Sequence, residues 1–173
     1  MPFILAFWLS PYKTINNVLK GDLDFNYNLP LLLNSLTLGI SAQYWVNGDI
    51  FLKTSVVMFI TLLVFLVWAI FYPRVIKFTG KLWKGEGSIK GVTKVVSLAS
   101  LPYLFFLIVE GINLIKKDPI TVPPFIGFML PIISYIIMVK GISKVQNFER
   151  MIAILNIIIP PIILIILCFL IGI

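Results

Sequence analysis

Residues 55–72 form a run of eighteen residues without a single charged side chain. A helix of about 20 mostly apolar residues crosses the hydrocarbon core of a bilayer, which is about 30 Å thick. The whole chain has the same character: it is 60% hydrophobic and only 12% charged, whereas a soluble domain is about 25% charged. We therefore predict an all-α, polytopic membrane protein whose 173 residues leave little room for a domain outside the membrane.

Apolar runs separated by polar or basic segments predict a bundle of five transmembrane helices. The predicted spans are residues 29–45, 55–72, 92–115, 123–139 and 151–173. Pro102, Pro131 and the Pro160-Pro161 pair interrupt the last three spans. Proline is common in transmembrane helices, but broken helices also surround the substrate sites of secondary transporters. The sequence leaves both interpretations open.

Two connections are predicted to carry most of the charge. Residues 80–94 form the main loop, in which four glycines alternate with four lysines, and residues 140–150 form the connection between the fourth and fifth spans. Ser88 is predicted to start the third helix. The second helix is expected to continue beyond Pro73 as a basic extension.

The first 28 residues are predicted to be an interfacial segment that precedes a five-helix transmembrane domain at residues 29–173. Their apolar side chains recur at helical spacing and form one stripe: Phe3, Ile4, Phe7, Trp8, Ile15 and Leu19. Such a stripe is typical of an amphipathic helix that lies on the bilayer. A partly disordered apolar leader is the alternative. A signal peptide is not expected, because no basic residues precede the apolar run and no small-residue cleavage site follows it.

The distribution of basic residues predicts the orientation. With five spans, eleven of the fourteen Lys and Arg residues fall on the side of the N-terminus, and only Lys53, Lys116 and Lys117 fall on the other. Cytoplasmic loops carry the excess of Lys and Arg. We therefore expect a multi-pass protein of the cell membrane with its N-terminus in the cytoplasm and its C-terminus outside.

The chain offers few residues for catalysis or metal binding. It has no histidine and a single cysteine, Cys168, so the commonest metal ligand and general base are missing. We expect no cofactor, no metal site and no enzymatic activity. Glu110 is the one acid inside a predicted span, and an acid at this depth is a functional candidate. It lies about 7.5 Å from the helix end, so it could instead reach the interface, Lys116 or Lys117.

The glycine-rich stretch around Gly85 and Gly87 lacks the context of a phosphate-binding loop, which requires a preceding buried strand. We interpret it as a hinge or as a cytoplasmic docking site with nearby Lys81, Lys84 and Lys90. The net charge of +7 is explained by topology and by attraction to anionic headgroups. A nucleic-acid partner is not expected.

Four segments together resemble the Yip family of Ypt/Rab-interacting membrane proteins. They are residues 10–15 before the first span, residues 85–90 in the main loop, residues 97–103 entering the third span and residues 139–146 after the fourth. The chain departs from the family pattern at residues 147–150, where small residues would be expected. The resemblance is to a compact, prokaryotic-type member. It implies five spans, a cytoplasmic N-terminus and a membrane-organising role without a reaction.

Two functional hypotheses follow. The first is a non-enzymatic scaffold that organises the membrane through self-association or through a membrane-protein partner. The second is a small transporter or lipid-handling protein that uses the proline-broken helices and Glu110. A cavity lined by Glu110 and by polar residues of the first span would favour the second hypothesis.

Overall fold

The computed structural model describes residues 10–21, 25–116 and 120–171. Throughout these segments the regular elements are helices, and no strand occurs in them. The α-helices are α1 (Pro11–Lys20), α2 (Asn28–Ala42), α3 (Ile50–Leu66), α4 (Tyr72–Lys81), α5 (Ile89–Ser100), α6 (Leu104–Ile115), α7 (Pro124–Gln146) and α8 (Arg150–Ile171). This confirms the predicted all-α class.

Three continuous helical rods are long and apolar enough to cross a membrane: Ile50–Lys81, Ile89–Ile115 and Pro124–Gln146. The first joins α3 to α4 through the wide π-type turn Val67–Phe71, and the second joins α5 to α6 through the 3₁₀ turn Leu101–Tyr103. They contain the cores of the predicted second, third and fourth spans. The protein is therefore a multi-pass membrane protein in its central part.

The first and last predicted spans correspond to shorter or less completely described helices. α2 has 15 residues, which is about 22 Å of helix, and the 3₁₀ turn Gln43–Trp45 extends it. α8 begins at Arg150, one residue before the predicted fifth span, and has 22 residues. Both helices are apolar, and their crossing of the bilayer remains a prediction.

Both predicted loops are shorter than expected, because helix covers parts of them. α4 continues to Lys81 and α5 begins at Ile89, so the connection between them is residues 82–88. The Ser88 side chain accepts a hydrogen bond from the Gly91 amide at 3.0 Å and caps α5, as predicted for a helix start. The prediction of a loop from residue 140 is wrong: α7 runs on to Gln146. It ends at Asn147, whose φ of 59° breaks the helix.

The core lies where α5 passes between α4, α7 and α1. Val92, Val95 and Leu98 of α5 are completely buried there. α1 packs against α5 and α7, and its Ile15 is only 4% exposed. Protein therefore covers Ile15, and the interfacial role expected for the stripe that contains it is not confirmed. Phe3, Ile4, Phe7 and Trp8 lie outside the described residues.

α3 contacts the rest of the protein mainly through α2. At the crossing, a β-carbon on Gly39 would collide with the Thr61 hydroxyl oxygen and would approach the Val57 carbonyl oxygen to 2.7 Å. Glycine is therefore required for the two backbones to approach this closely. Large apolar side chains on the outer side of α3, such as Phe59 and Leu62, are exposed, as expected for a helix that faces lipid.

Candidate functional site

The glycine-rich connection wraps around one buried amide side chain. Gln146, at the end of α7, is 1% exposed. Its Oε1 accepts a hydrogen bond from the Gly87 amide at 3.1 Å, and its Nε2 donates a long one to the Ile76 carbonyl oxygen at 3.5 Å. One side chain thus ties the connection after α4 to the end of α7.

Three glycines have no space for a side chain because of Gln146. A β-carbon on Gly85 would lie 2.5 Å from Gln146 Oε1 and 2.6 Å from Cζ of Phe148, and one on Gly80 would lie 2.7 Å from Gln146 Nε2. A β-carbon on Gly87 would be 2.9 Å from the same amide group. The candidate residues Gly85 and Gly87 therefore serve close packing, a role that the hinge interpretation did not include.

A second polar network joins α4 to α8. The Thr79 hydroxyl donates to Oδ1 of Asn156 at 2.5 Å, and Nδ2 of Asn156 donates to the Ile76 carbonyl oxygen at 3.2 Å. Asn156 is completely buried. The network pairs both polar atoms of this amide, so α4, α7 and α8 are fixed to one another at this end of the bundle. We call this end of the bundle the basic end; it is formed by α1, the end of α4, residues 82–88, the start of α5, the end of α7, residues 147–149 and the start of α8.

The basic end carries its cations on the surface. Two lysines bind neighbouring elements: Lys94 Nζ donates to the Val18 carbonyl oxygen at 3.2 Å, and Lys144 Nζ donates to Oδ1 of Asn16 at 2.5 Å. Most basic side chains of this end are exposed to solvent: Lys13, Lys20, Lys81, Lys84, Lys90, Lys140, Lys144 and Arg150. Within the described ranges the exposed acids there are Glu86 and Glu149. The predicted candidates Lys81, Lys84 and Lys90 therefore belong to one strongly positive surface.

A cleft of about 350 Å³ opens on this surface between α1, the start of α5 and the end of α7. Lys20, Lys94 and Lys144 line it, together with Glu86 and the backbone around Gly87. The predicted candidates do not all meet in this cleft. Gly87 lies in its wall, while Lys81, Lys84 and Lys90 are not among its lining residues.

Glu110 lies far from the basic end and contacts α2. Its Oε1 accepts a hydrogen bond from the Ser41 hydroxyl at 3.2 Å, while Oε2 is buried and has no hydrogen-bond partner in the described part of the chain. An ion pair with Lys116, which the sequence allowed, is not formed, because this face of α6 is turned toward α2. Lys117 lies outside the described residues.

A larger cleft of about 460 Å³ lies among the apolar helices. Its lining comes from α2, the π-type turn, α4, α5, the 3₁₀ turn, α7 and α8, and it includes Asn34 of the predicted first span. Glu110 is not among the lining residues. The transporter hypothesis combines Glu110 with the proline-broken helices, but Glu110 does not line the cleft that these helices surround. Sequence reasoning noted Pro102, Pro131 and the polar residues of the first span, but it missed the tyrosines in this cleft, since tyrosine in an apolar run gives no separate signal.

The described residues contain no group of three His, Cys, Asp or Glu side chains that could hold a metal ion. Long apolar helices with a polar, positively charged end define the class as a multi-pass α-helical membrane protein. Residues 5–172 match the model of the Yip1 domain family, so the chain belongs to that family, whose members are generally non-enzymatic membrane proteins. This confirms the resemblance found in the sequence. No curated protein and no solved structure matches the chain.

Proposed function

We propose that the protein is a non-enzymatic, five-span scaffold of the cell membrane whose basic end binds an anionic surface. The observation that carries this proposal is the exposure of Lys81, Lys84 and Lys90 around a connection that Gln146 ties to α7. Because Lys81 and Lys90 lie on the helices that flank the connection, and the Gly87 amide anchors the connection itself, the three lysines are presented in a defined arrangement. Membership of the Yip1 domain family supports the membrane-organising role.

The attraction between these lysines and an anionic leaflet should make a measurable contribution to the free energy of binding. A Lys or Arg close to an anionic leaflet contributes about 1 kcal/mol. Lys81, Lys84 and Lys90, which lie in and beside this connection, would therefore add about 3 kcal/mol at low salt. The screening length falls from about 10 Å at 0.1 M salt to about 3 Å at 1 M. Binding that depends on these lysines should weaken strongly over that range.

Vesicle binding tests the proposal directly. The purified protein in nanodiscs of neutral lipid would be titrated with vesicles containing a graded fraction of anionic lipid. Replacing Lys81, Lys84 and Lys90 with Gln should lower the affinity by about tenfold or more at 0.1 M salt. The matched control replaces Lys53 and Lys116, which lie at the opposite end, with Gln. An affinity that neither salt nor the triple substitution changes would contradict the proposal.

The orientation is part of the same proposal. A cytoplasmic basic end agrees with the excess of Lys and Arg in cytoplasmic segments. In a Cys168→Ser background, single cysteines at Asn47 or Lys116 should react with an impermeant reagent added outside the cell. Cysteines at Glu86 or Glu149 should react only after permeabilisation. Labelling on the reversed sides would refute the orientation, and labelling of all four positions on one side would refute the crossing of the three central spans.

Self-association is the form of assembly that we propose for the scaffold, with a second membrane protein as the alternative partner. The exposed apolar surface of α3, which includes Phe59 and Leu62, supplies area for either contact or for lipid. Single-molecule photobleaching of sparsely reconstituted protein would distinguish self-association from contact with another partner or with lipid. Two-step bleaching is expected for a dimer, and uniform single-step bleaching would remove self-association from the proposal.

A further inference from the structure

Three departures from regular α-helix meet at the 460 Å³ cleft. Trp68 belongs to the π-type turn, Tyr103 to the 3₁₀ turn and Pro131 interrupts α7, and all three line the same space. Non-helical backbone at membrane depth is tolerated where it is covered by protein or lines a cavity, and π-type turns are frequent at functional sites. The irregular positions are therefore gathered around one space.

The cleft also gathers polar side chains that lack partners. Asn34, Tyr72, Tyr103 and Tyr135 line it, and none of them makes a hydrogen bond to any part of the protein that the structure describes. Nearby Ser134 differs, because its hydroxyl donates to the Ala99 carbonyl oxygen at 2.5 Å. In lipid an unpaired polar group is costly. An occupant that accepts or donates hydrogen bonds would remove that cost.

The lining restricts the chemistry of such an occupant. No residue that lines the cleft carries a charge, and most of the surface is apolar, contributed by side chains such as Leu38, Val96 and Met138. A charged headgroup would have no counter-ion here, and burial of an unpaired charge is strongly unfavourable. The volume falls within the range of about 300–1,000 Å³ that is typical of small-molecule sites.

We propose that the cleft binds a neutral membrane lipid through a hydroxyl or ester group. The polar part of the lipid exchanges hydrogen bonds with the Asn34 amide and with the hydroxyls of Tyr72 and Tyr135, and one hydrocarbon chain contacts the apolar wall. The bilayer supplies this ligand because the cleft lies among helices that face lipid. This site is separate from the basic end and does not depend on it.

Photocrosslinking with two lipid probes tests the site. A diacylglycerol carrying a diazirine in one chain represents the neutral class, and a phosphatidylglycerol with the same diazirine chain represents the anionic class. Both would be added to the full-length protein in nanodiscs, and the labelled peptides would be mapped by mass spectrometry. We expect the diacylglycerol to label peptides containing Val96 or Met138, and the anionic probe to label mainly the outer surface of α3.

The variant for this test replaces Tyr72 and Tyr135 with Phe, which removes two hydroxyls and keeps both rings. Labelling of the cleft by diacylglycerol should fall by about tenfold, as expected for two lost hydrogen bonds. Tyr44→Phe, an exposed residue outside the cleft, is the matched control and should leave labelling unchanged. An unchanged melting temperature shows that the double variant is folded. If it is not folded, Asn34→Leu provides the same test.

Three outcomes would overturn the proposal. The first is equal labelling of the cleft by the neutral and anionic probes. The second is labelling that is insensitive to the loss of both hydroxyls in a folded variant. The third is a cleft filled by water alone, which would appear as rapid reaction of a Ser100→Cys variant, in a Cys168→Ser background, with a small water-soluble thiol reagent and no lipid crosslink at Val96 or Met138.

Discussion

The basic end and the 460 Å³ cleft differ in whether their polar side chains have hydrogen-bond partners. At the basic end, Gln146 and Asn156 are completely enclosed, and each bonds to backbone or to a side chain of another helix. In the cleft, Asn34, Tyr72 and Tyr135 face open space without a hydrogen-bond partner in the described segments. The backbone also departs from regular α-helix beside the cleft, at the π-type turn Val67–Phe71 and at the 3₁₀ turn Leu101–Tyr103.

This contrast separates what holds the fold together from what is available for binding. A buried polar group with all its partners fixes neighbouring helices in one arrangement, because any shift would leave it unpaired. Polar groups without partners are unfavourable in lipid until something satisfies them. We therefore expect substitutions at the basic end to lower stability, and conservative substitutions in the cleft to change ligand binding with little effect on stability.

The largest effect is expected for Gln146→Ala. The substitution leaves the buried Gly87 amide without its acceptor and opens a cavity against Gly80 and Gly85. Together these should lower the free energy of unfolding by about 3–5 kcal/mol. Thermal unfolding in mild detergent measures the loss. Gln43→Ala at the opposite end is the control, because that side chain makes no hydrogen bond to the described residues. Equal stability of both variants would contradict the anchoring role of Gln146.

Substitutions at Thr79 and Asn156 should lower the free energy of unfolding by less than Gln146→Ala does. The loss should depend on whether one or both of these residues are replaced. Thr79→Val alone leaves Oδ1 of the buried Asn156 without a donor, which should cost about 1–3 kcal/mol. In the double variant with Asn156→Leu, no such acceptor remains. The double variant should therefore be more stable than the sum of the single effects predicts, by about 0.5–3 kcal/mol. Strict additivity would show that the two side chains do not interact in the membrane.

Local sequence patterns predicted the features that depend on neighbouring residues. Apolar runs located the three long helical rods, Ser88 was correctly predicted to start a helix, and the extension predicted beyond Pro73 is α4. These features follow from helix length, capping and the compatibility of proline with a first turn. The motif segments also identified the family correctly.

Features that depend on distant partners were not predicted. Gly87 and Gln146 are 59 residues apart, and Ser41 and Glu110 are 69 apart. Lys140 and Lys144 indicated a loop, yet they lie on α7, where their spacing of four residues places both on one exposed helix face. The cleft needed five helices to be positioned before its tyrosines could be recognised. Pairings of this kind require the tertiary arrangement itself.

A matched pair of glycine substitutions sharpens the contrast between crowded and open regions. A β-carbon on Gly85 would collide with Gln146 and Phe148, so Gly85→Ala should destabilise the protein by about 1–3 kcal/mol. Gly127 in α7 faces open space: apart from the backbone of its own helix and its chain neighbours, no described atom lies within 4 Å of where its β-carbon would be. Gly127→Ala should be neutral or should stabilise the protein by about 0.4–1 kcal/mol, because alanine restricts the unfolded chain. Melting temperatures measured in one detergent compare the two directly.

A reversed order, with Gly127→Ala the more damaging variant, would contradict the packing described around Gln146. Comparable losses for both would indicate that any added methyl group is disruptive in these helices. Vesicle binding by the folded Gly85→Ala variant adds a second measurement. If the arrangement of the connection matters for binding, the affinity for anionic vesicles should fall although no charge has been removed.

The smallest effect is expected for Glu110→Gln. The glutamine amide retains an oxygen that can accept the hydrogen bond from the Ser41 hydroxyl. The substitution replaces the second carboxylate oxygen, Oε2, which is buried and has no hydrogen-bond partner in the described residues. The amide also has nearly the size and shape of the carboxyl group, so the contact with α2 should be kept. The change in the free energy of unfolding should therefore stay below about 1 kcal/mol. Ser41→Ala is the complementary variant, since it removes the hydroxyl that donates to Oε1 and should be the more destabilising of the two.

A structural role for Glu110 predicts normal insertion, normal stability and normal cell growth in the Gln variant. Normal insertion combined with loss of a growth or transport phenotype would instead require the carboxylate itself, and Glu110 would then be a functional site in addition to the cleft.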